Sequence, residues 1–582
     1  MTNLGGRKKR CVVVMYDTLC RHFMPTYGNE WVKAPNFERL AKRSVQFQNY
    51  YVGSMPCMPA RREMHAGRYN FLHRSWGPLE PFDDSMPEML HSHGVHSHKV
   101  TDHQHYWEDG GATYHQRYST FEFVRGQEGD KWVGDVEKLR DPNGGEGRWP
   151  EHRHSPMHKQ DNINREHMVS SDLQPQHKTF SLGLEFIERN VESDNWYLQI
   201  ETFDPHEPFF TQEEFQDLYP HEYDGPAFDW PPYREVREDD LTVEHIRYMY
   251  AALVTYCDQQ LGRVLDVFDK HDLWQDTMLI VNTDHGFLMG EHDWWAKVVT
   301  PFFQEVAHIP FWAYDPRHPG CVGKKRDSVV QTIDLAPTIL DYFDIPVTRD
   351  MQGKSLTRTM LNDEPVRKAA LYGVMGGQVN VTDGQYVYMR GNVTEDNSPL
   401  FEYTLMPTHM NGFFSARELN KWEKFENFSF TKACPVMQIP SRTPRLLSSR
   451  NNPYGKGRTA TLLFDVQTDP GQTSPLVDVG LEVRMIKLML FEMAQNECPP
   501  EQYMRLGLPE PVRKSTSGLE VVIELPSDEV IEMACVLQAQ LGLEMAEHGG
   551  NGLPKMPFGD ISFPDNLRLR PGYVFSQTKD KD

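Results

Sequence analysis

Short apolar runs and one long amphipathic stretch alternate through the first half of the chain. Val12 to Met15 is a β-branched run that reads as a buried strand. Trp196 to Ile200 and Met278 to Val281 are further short apolar runs, each followed by polar residues. Pro35 to Lys42 reads as helix. Ile246, Met249, Tyr250, Leu253, Cys257, Leu261, Val264, Leu265 and Phe268 recur at helical spacing and predict a long amphipathic helix. Such alternation predicts an α/β fold, a mostly parallel sheet covered by helices. In sheets of this kind the ligand lies beyond the carboxyl ends of the strands. The polar residues that close the runs are therefore the first candidates for chemistry: Asp17 and Thr18, then Asp204 to Glu207, then Asp284 and His285.

The organisation changes along the chain. Residues 1–365 read as the catalytic domain. Within it, residues 108–180 are polar and rich in Gly and His (GRWPEHRHSPMHKQ), and read as a long lid-like insertion. Residues 366–500 carry strand-like pieces (QYVYMR, TATLLFDV) and then a helical stretch near 481–495, a smaller α+β subdomain. Residues 501–582 form an extension, with a helix near 527–547 and a Pro/Gly-rich tail.

Composition narrows the function classes. The chain has 582 residues, 39% of them hydrophobic and 25% charged, and a net charge of −23. That balance excludes a nucleic-acid binder, which carries a basic footprint. It leaves room for an anionic small substrate in a locally basic pocket. No stretch has the length of a membrane span. The apolar run after the basic start is only Cys11 to Tyr16, too short for a secretory segment. Eight scattered cysteines do not form a disulfide framework. A cytoplasmic protein is the expectation.

The segment richest in chemistry is Ser54-Met55-Pro56-Cys57-Met58-Pro59-Ala60-Arg61-Arg62, a Cys-x-Pro-x-Arg pattern. Here the chain resembles the sulfatase family of the alkaline phosphatase superfamily. The resemblance runs in order from about residue 10 to 480, through CVVVMYDTLCRHFMPTYG, APNFERLAKRSVQFQNYYV, NTDHGFLMGEHDWWAK, TIDLAPTIL and LLFDVQTDP. It implies an alkaline phosphatase-like core and hydrolysis of a sulfate ester, of a sugar or an aryl alcohol. It also implies that a formylglycine-generating maturation enzyme oxidises Cys57 to formylglycine. The hydrated aldehyde attacks sulfur with one hydroxyl, and the second expels sulfate, an exit that serine lacks. One divalent metal ion is implied, with Asp17, Thr18, Cys57, Asp284 and His285 as the ligand positions. Carboxylates suit Ca²⁺ first, with Mg²⁺ or Mn²⁺ as alternatives. Arg61, one helical turn after Cys57, is implied to stabilise the ionised diol, Lys297 to contact sulfate, and His206 to act as general acid or sulfate ligand. A homo-oligomer is expected.

Two departures from the family pattern stand out. Asp17-Thr18 replaces a pair of aspartates, and His285 stands where many sulfatases have asparagine. Both features resemble the phosphonate monoester hydrolase branch and make a phosphonate or phosphodiester hydrolase the alternative. Many sulfatases also place a Lys-x-His pair near Val100 to Tyr106. That stretch has no lysine, and His103 or His105 is expected to supply the imidazole that binds substrate. A catalytically dead glycan-binding protein is the rival from another class; five intact positions, Cys57, Arg61, Asp284, His285 and Lys297, argue against it. A thiolate phosphatase needs arginine six residues after its cysteine, where this chain has Glu63. His91, His93, His96 and His98 straddle a predicted helix end without a cysteine or carboxylate to complete a zinc site. Glu291 and His292 read as structural. His152, His154 and His158 read as part of a solvated loop.

Overall fold

The computed structural model describes residues 8–140, 155–393, 396–441, 459–515 and 521–545. Eight strands form the main sheet: β1 (Arg10–Tyr16), β2 (Val45–Tyr51), β3 (His96–Thr101), β4 (Thr120–Phe123), β5 (Trp196–Thr202), β6 (Thr277–Thr283), β7 (His308–Tyr314) and β8 (Lys325–Gln331). Their order is β8-β2-β7-β6-β1-β5-β3-β4. Only β7 runs against its neighbours β2 and β6; every other pairing is parallel. β1, β5 and β6 are buried along their whole length. A strand covered on both faces needs apolar residues at nearly every position, which is why these three read as short unbroken runs.

Successive residues of β1 serve opposite layers. Val12 and Val14 pack with α1 (Pro35–Arg43), α3 (Pro175–Asn190) and the long α4 (Asp240–Lys270), through Phe37, Phe180, Leu253 and Leu261. Cys11, Val13 and Met15 face the other layer, with Ala60 and Met64 of α2 (Cys57–Ala66) and Ile339 and Leu340 of α5 (Leu335–Tyr342). Asp239 caps α4, accepting from Thr242 N at 2.9 Å.

The segment expected as one long lid carries more order than that. Residues 120–123 join the main sheet as β4, parallel to β3, and a helix spans Pro156–Arg165. The last residues of the stretch already belong to α3, which packs on the sheet beside β5. β4 lies at the sheet edge with Thr120 and Glu122 exposed, so its polar content is that of a half-covered strand. His152 and His154 lie outside the described residues. His158 sits in the helix, with Nδ1 2.9 Å from Ser155 Oγ and its ring against Trp230.

A second, antiparallel sheet joins Ala370–Gly373, Val379–Thr382, Tyr386–Arg390 and Leu462–Asp465. α6 (Val479–Gln495) covers it, and α7 (Asp528–Met545) packs beside α6 in the same core. Tyr69, Phe71 and Leu72, from the segment after α2, insert into this core. A three-stranded sheet joins Phe401–Thr404, Val436–Pro440 and Glu423–Phe425. The strand from Ala370 to Gly373 also reaches the main domain. Gly373 donates to the Gly53 carbonyl (3.0 Å), and Met55 N donates to the Gly373 carbonyl (2.8 Å). The approach to Cys57 is thus hydrogen-bonded to the second sheet. Among the described residues no helix is long and apolar enough to cross a membrane.

Candidate active site

Three strand ends and one helix start meet at a single rim. β1 delivers Asp17 and Thr18, β5 leads to Asp204–Glu207, β6 delivers Asp284 and His285, and α2 begins at Cys57. The local conformations are tightly constrained. Thr18 has φ +65°, a left-handed conformation that costs a threonine about 1–3 kcal/mol. Four hydrogen bonds hold it. Its amide donates to Asp284 Oδ1 (3.0 Å) and its hydroxyl to Asp17 Oδ1 (2.7 Å); its hydroxyl accepts from Lys297 Nζ (3.1 Å) and its carbonyl from Tyr250 OH (2.8 Å). After His285 only glycine fits: a Cβ on Gly286 would stand 1.9 Å from the Glu305 carbonyl oxygen.

The turn before Cys57 is fixed from below by Glu63 of α2. This buried carboxylate accepts from Ser54 N (2.6 Å) and from the Thr332 hydroxyl. Burial pushes its carboxyl up to about 8.

Asp17, Cys57, Asp284 and His285 place four donor atoms within 4.8 Å of one another, all buried. Cys57 Sγ lies 3.2 Å from His285 Nε2 and 3.9 Å from Asp17 Oδ1. Two carboxylates, an imidazole and residue 57 around one point make a donor set that fits a divalent cation. Among the described residues this is the only such group. Burial and the neighbouring Asp17 push the Asp284 carboxyl up. Burial opposes charge on Asp17 too, but Arg61 and His206 hold its carboxyl well below the usual range. Thr18 Oγ1 is engaged with Asp17 and Lys297 at the edge of this group.

Arg61, 1% exposed, ties the acids together. It donates through Nη2 to Asp17 (2.9 Å), through Nη1 to Asp284 (2.7 Å) and through Nε to Glu201 (2.7 Å), and Nη1 also reaches the Cys57 carbonyl (2.9 Å). Glu201 is held in turn by Lys99 Nζ (2.5 Å) and Tyr106 OH (2.9 Å). Burial opposes its charge, and Lys99 and Arg61 overcome that. Lys297 Nζ stands 3.8 Å from Cys57 Sγ and 4.0 Å from Glu207 Oε2. His206 Nδ1 donates to the Glu207 carbonyl (2.6 Å), and its ring lies tilted against Phe203 (4.2 Å between centroids).

The structure separates the two histidines left open by the sequence. His103 is buried, with Nε2 3.1 Å from Asp17 Oδ2. His105 is part-exposed and bonds to Glu108 (2.8 Å), its ring against Trp76. Lys99, just upstream of the stretch without lysine, was missed, as were Glu201 and Tyr233, while Tyr106, whose ring type suits a sugar, is fully buried against Glu201. Lys99 stands beside Gln199 in the β3–β5 register, and Glu201 lies two residues on, on the same face of β5. That period-two run of polar residues inside an apolar strand was the available signal.

Elsewhere the histidines and Glu291 singled out in the sequence make local structural contacts. His96 and His98 bond to Thr120 and stack on Phe186. Glu291 accepts from Met289 N, and His292 stacks on Phe303. All eight cysteines are free thiols.

In the buried network Asp17, Glu201, Glu207 and Asp284 face Arg61, Lys99 and Lys297, one negative charge in excess. A divalent ion would reverse that sign and let the site accept an anionic ester.

Comparison with known proteins agrees with this architecture. Residues 9–345 match the sulfatase family model. The chain is 24% identical over 383 residues to an arylsulfatase of Clostridium perfringens, covering 60% of this chain and 78% of that protein. It is 22% identical over 489 residues to an N-acetylglucosamine-6-O-sulfatase of Bacteroides thetaiotaomicron, covering 72% and 85%. Its fold is similar to that of a phosphonate monoester hydrolase of Agrobacterium radiobacter, with TM-score 0.56, 19% identity, and coverage of 89% of this chain and all of that one. The family match, together with the fold and the converging strand ends, places the chain in the alkaline phosphatase superfamily. Within it, the chain belongs to the sulfatase family, and it is a sulfuric ester hydrolase.

Proposed function

We propose that this enzyme hydrolyses the sulfate ester of a sugar or aryl alcohol with residue 57, converted to formylglycine, as nucleophile. The observation that carries the reading is the convergence of Arg61, Lys297, Asp17, Asp284 and His285 on Cys57. Asp17, Asp284, His285 and residue 57 would hold one divalent ion, with Ca²⁺ first by the count of carboxylates. Such an ion supplies Lewis-acid neutralisation of the sulfate oxygens and a lower pKa for the attacking hydroxyl.

The chain's own residues do the rest. Arg61 fixes both carboxylates and reaches the backbone of residue 57. Lys297 lies beside the nucleophile, where a sulfate oxygen would sit, and the Glu207 and Asp17 carboxylates keep it charged against its burial. His206 would protonate the leaving oxygen, since a sugar alkoxide departs poorly without a proton. His103 orients Asp17. The maturation partner is a formylglycine-generating enzyme.

The test is a panel of sulfate esters, phosphate diesters and phosphonates given to metal-replete enzyme, with peptide mass spectrometry of residue 57. Dominant turnover of sulfate esters with an aldehyde at residue 57 is expected. Full activity with an unmodified thiol would sink the nucleophile. A dominant rate on diesters or phosphonates would favour the second reading, which Thr18 beside Asp17 and the presence of His285 support.

A further inference from the structure

Glu207 was singled out in the sequence only as one of the polar residues after a strand, and the reaction described above uses it only to keep Lys297 charged. Its placement is specific. The residue is 1% exposed. Tyr233 OH donates to Oε1 at 2.7 Å. The other oxygen, Oε2, is buried, makes no hydrogen bond among the described residues, and lies 3.1 Å from His206 Nδ1 and 4.0 Å from Lys297 Nζ. His206 Nδ1 also donates to the backbone carbonyl of the same glutamate. Nδ1 therefore gives its proton to the Glu207 carbonyl, with a carboxylate oxygen of the same residue 3.1 Å away. Nε2, on the other side of the ring, has no hydrogen-bond partner among the described residues.

We propose that Glu207 is the positioning residue of the general acid: Tyr233 anchors one carboxylate oxygen, and the other orients His206 through Nδ1 and stabilises its protonated form. The inference rests on the reading of His206 as general acid. In the step itself the ionised hydroxyl oxygen of hydrated residue 57 bonds to sulfur as the S–O bond of the ester breaks; the electron pair of the broken bond stays on the alcohol oxygen, and the proton on His206 Nε2 moves to that oxygen. The ring is left neutral, with its Nδ1–H still on Glu207, and regains a proton from solvent after release. A buried imidazole beside Lys297 resists charge: burial is the main cause that lowers His206, to about 4, and Glu207 is the foremost group opposing it. A carboxylate at this distance is the device that makes a buried imidazolium accessible. The arrangement shares its logic with an acid–base histidine held in one tautomer by a buried carboxylate.

The readout is dependence on the leaving group. An acid matters most when the departing alcohol is basic. Metal-loaded, formylglycine-bearing enzyme and its Glu207→Gln, Tyr233→Phe and His206→Ala variants would be assayed on nitrophenyl sulfate and on an alkyl or sugar sulfate. Glu207→Gln should lower kcat for the alkyl ester by about 10- to 100-fold, and lower it markedly less for the nitrophenyl ester. Tyr233→Phe, a milder change that keeps the ring, should give the same pattern at smaller size. Adding Glu207→Gln to His206→Ala should cost little more than His206→Ala alone, because residues that act as a unit are not additive. Equal losses on both esters in Glu207→Gln, or additive losses in the double variant, would overturn the proposal. If His206→Ala shows the leaving-group dependence and Glu207→Gln does not, this inference falls and the general acid stands. If His206→Ala itself shows none, both fall.

Discussion

Replacing Arg61 with methionine removes a buried cation and leaves the stem volume. Three carboxylates, Asp17, Asp284 and Glu201, each receive one of its N–H groups at 2.7–2.9 Å, and all are buried. Removing one partner of a buried ionic set leaves its counter-charges uncompensated, which costs about 3–5 kcal/mol. At roughly 2 °C per kcal/mol in a protein of this size, the metal-free variant should melt roughly 5–10 °C below the parent. The same substitution frees Asp17 and Asp284 from competition by the guanidinium. A divalent ion should therefore bind the variant more tightly, and stabilise it more, than it does the parent. Saturation at a hundred times the Kd adds ~2.7 kcal/mol by mass action. The assay is thermal melting at one fixed scan rate, in chelator and across a Ca²⁺ titration, with activity measured alongside. A chelated Arg61→Met protein that melts within a degree of the parent would refute the cost. A Ca²⁺-induced rise no larger than the parent's would refute the competition. Hydrolysis should be lost in either condition, since residue 57 loses its nearest fixed cation.

Three further outcomes are expected. Asp284→Ala removes the acceptor of Thr18 N, His285 N and Arg61 Nη1 together, so bound metal by elemental analysis and activity should vanish together; retained metal would contradict the ligand assignment. Gly286→Ala forces a Cβ to 1.9 Å from the Glu305 carbonyl, so the Asp284–His285 turn must move, at a cost of roughly 1–3 kcal/mol or more; a variant with unchanged melting point and metal content would show the turn to be pliable. Glu63→Gln tests pH linkage. Burial raises the native carboxyl to about 8 against an unfolded value near 4.5, so between those values the native state keeps a proton that the unfolded chain has lost. Stability therefore falls as pH rises through that window, by at most ~1.4 kcal/mol per pH unit. Relative to the parent, Glu63→Gln should gain a few kcal/mol from pH 5 to pH 8, and parallel stability curves would refute it.

What the sequence made legible was whatever a local pattern encodes. β1 and β6 are covered on both faces and stand out as apolar runs, and α4 stands out by its period. Cys57, Arg61, Asp284, His285 and Lys297 follow from ordered motifs, and the structure brings them within one network. The rest depends on pairings far apart in the chain. Lys99 and Glu201 meet only because β3 lies beside β5, and each alone is an ordinary charged residue in a strand. Tyr233 reaches Glu207 from a loop with no regular pattern. β4 gave too short and too polar a signal to be told from a loop, because an edge strand needs apolar cover on only part of its surface. The choice between His103 and His105 turned on the course of the chain after β3, where a short helical turn from Gln104 to Trp107 leaves His103 buried against Asp17 and His105 part-exposed against Glu108.

The bond between Gly373 and the segment before Cys57 has a consequence in time. Residues 53–55 find their last partner about 300 residues downstream, in the strand that ends at Gly373. A ribosome adding ~5–20 residues per second needs roughly 15 s to 1 min to make that stretch. Throughout that interval the approach to Cys57 lacks its closing strand. Afterwards the residue is 2% exposed. An enzyme that modified Cys57 before folding was complete would work within an interval set by the distance, along the chain, between the approach to that cysteine and the strand that completes its hydrogen bonds.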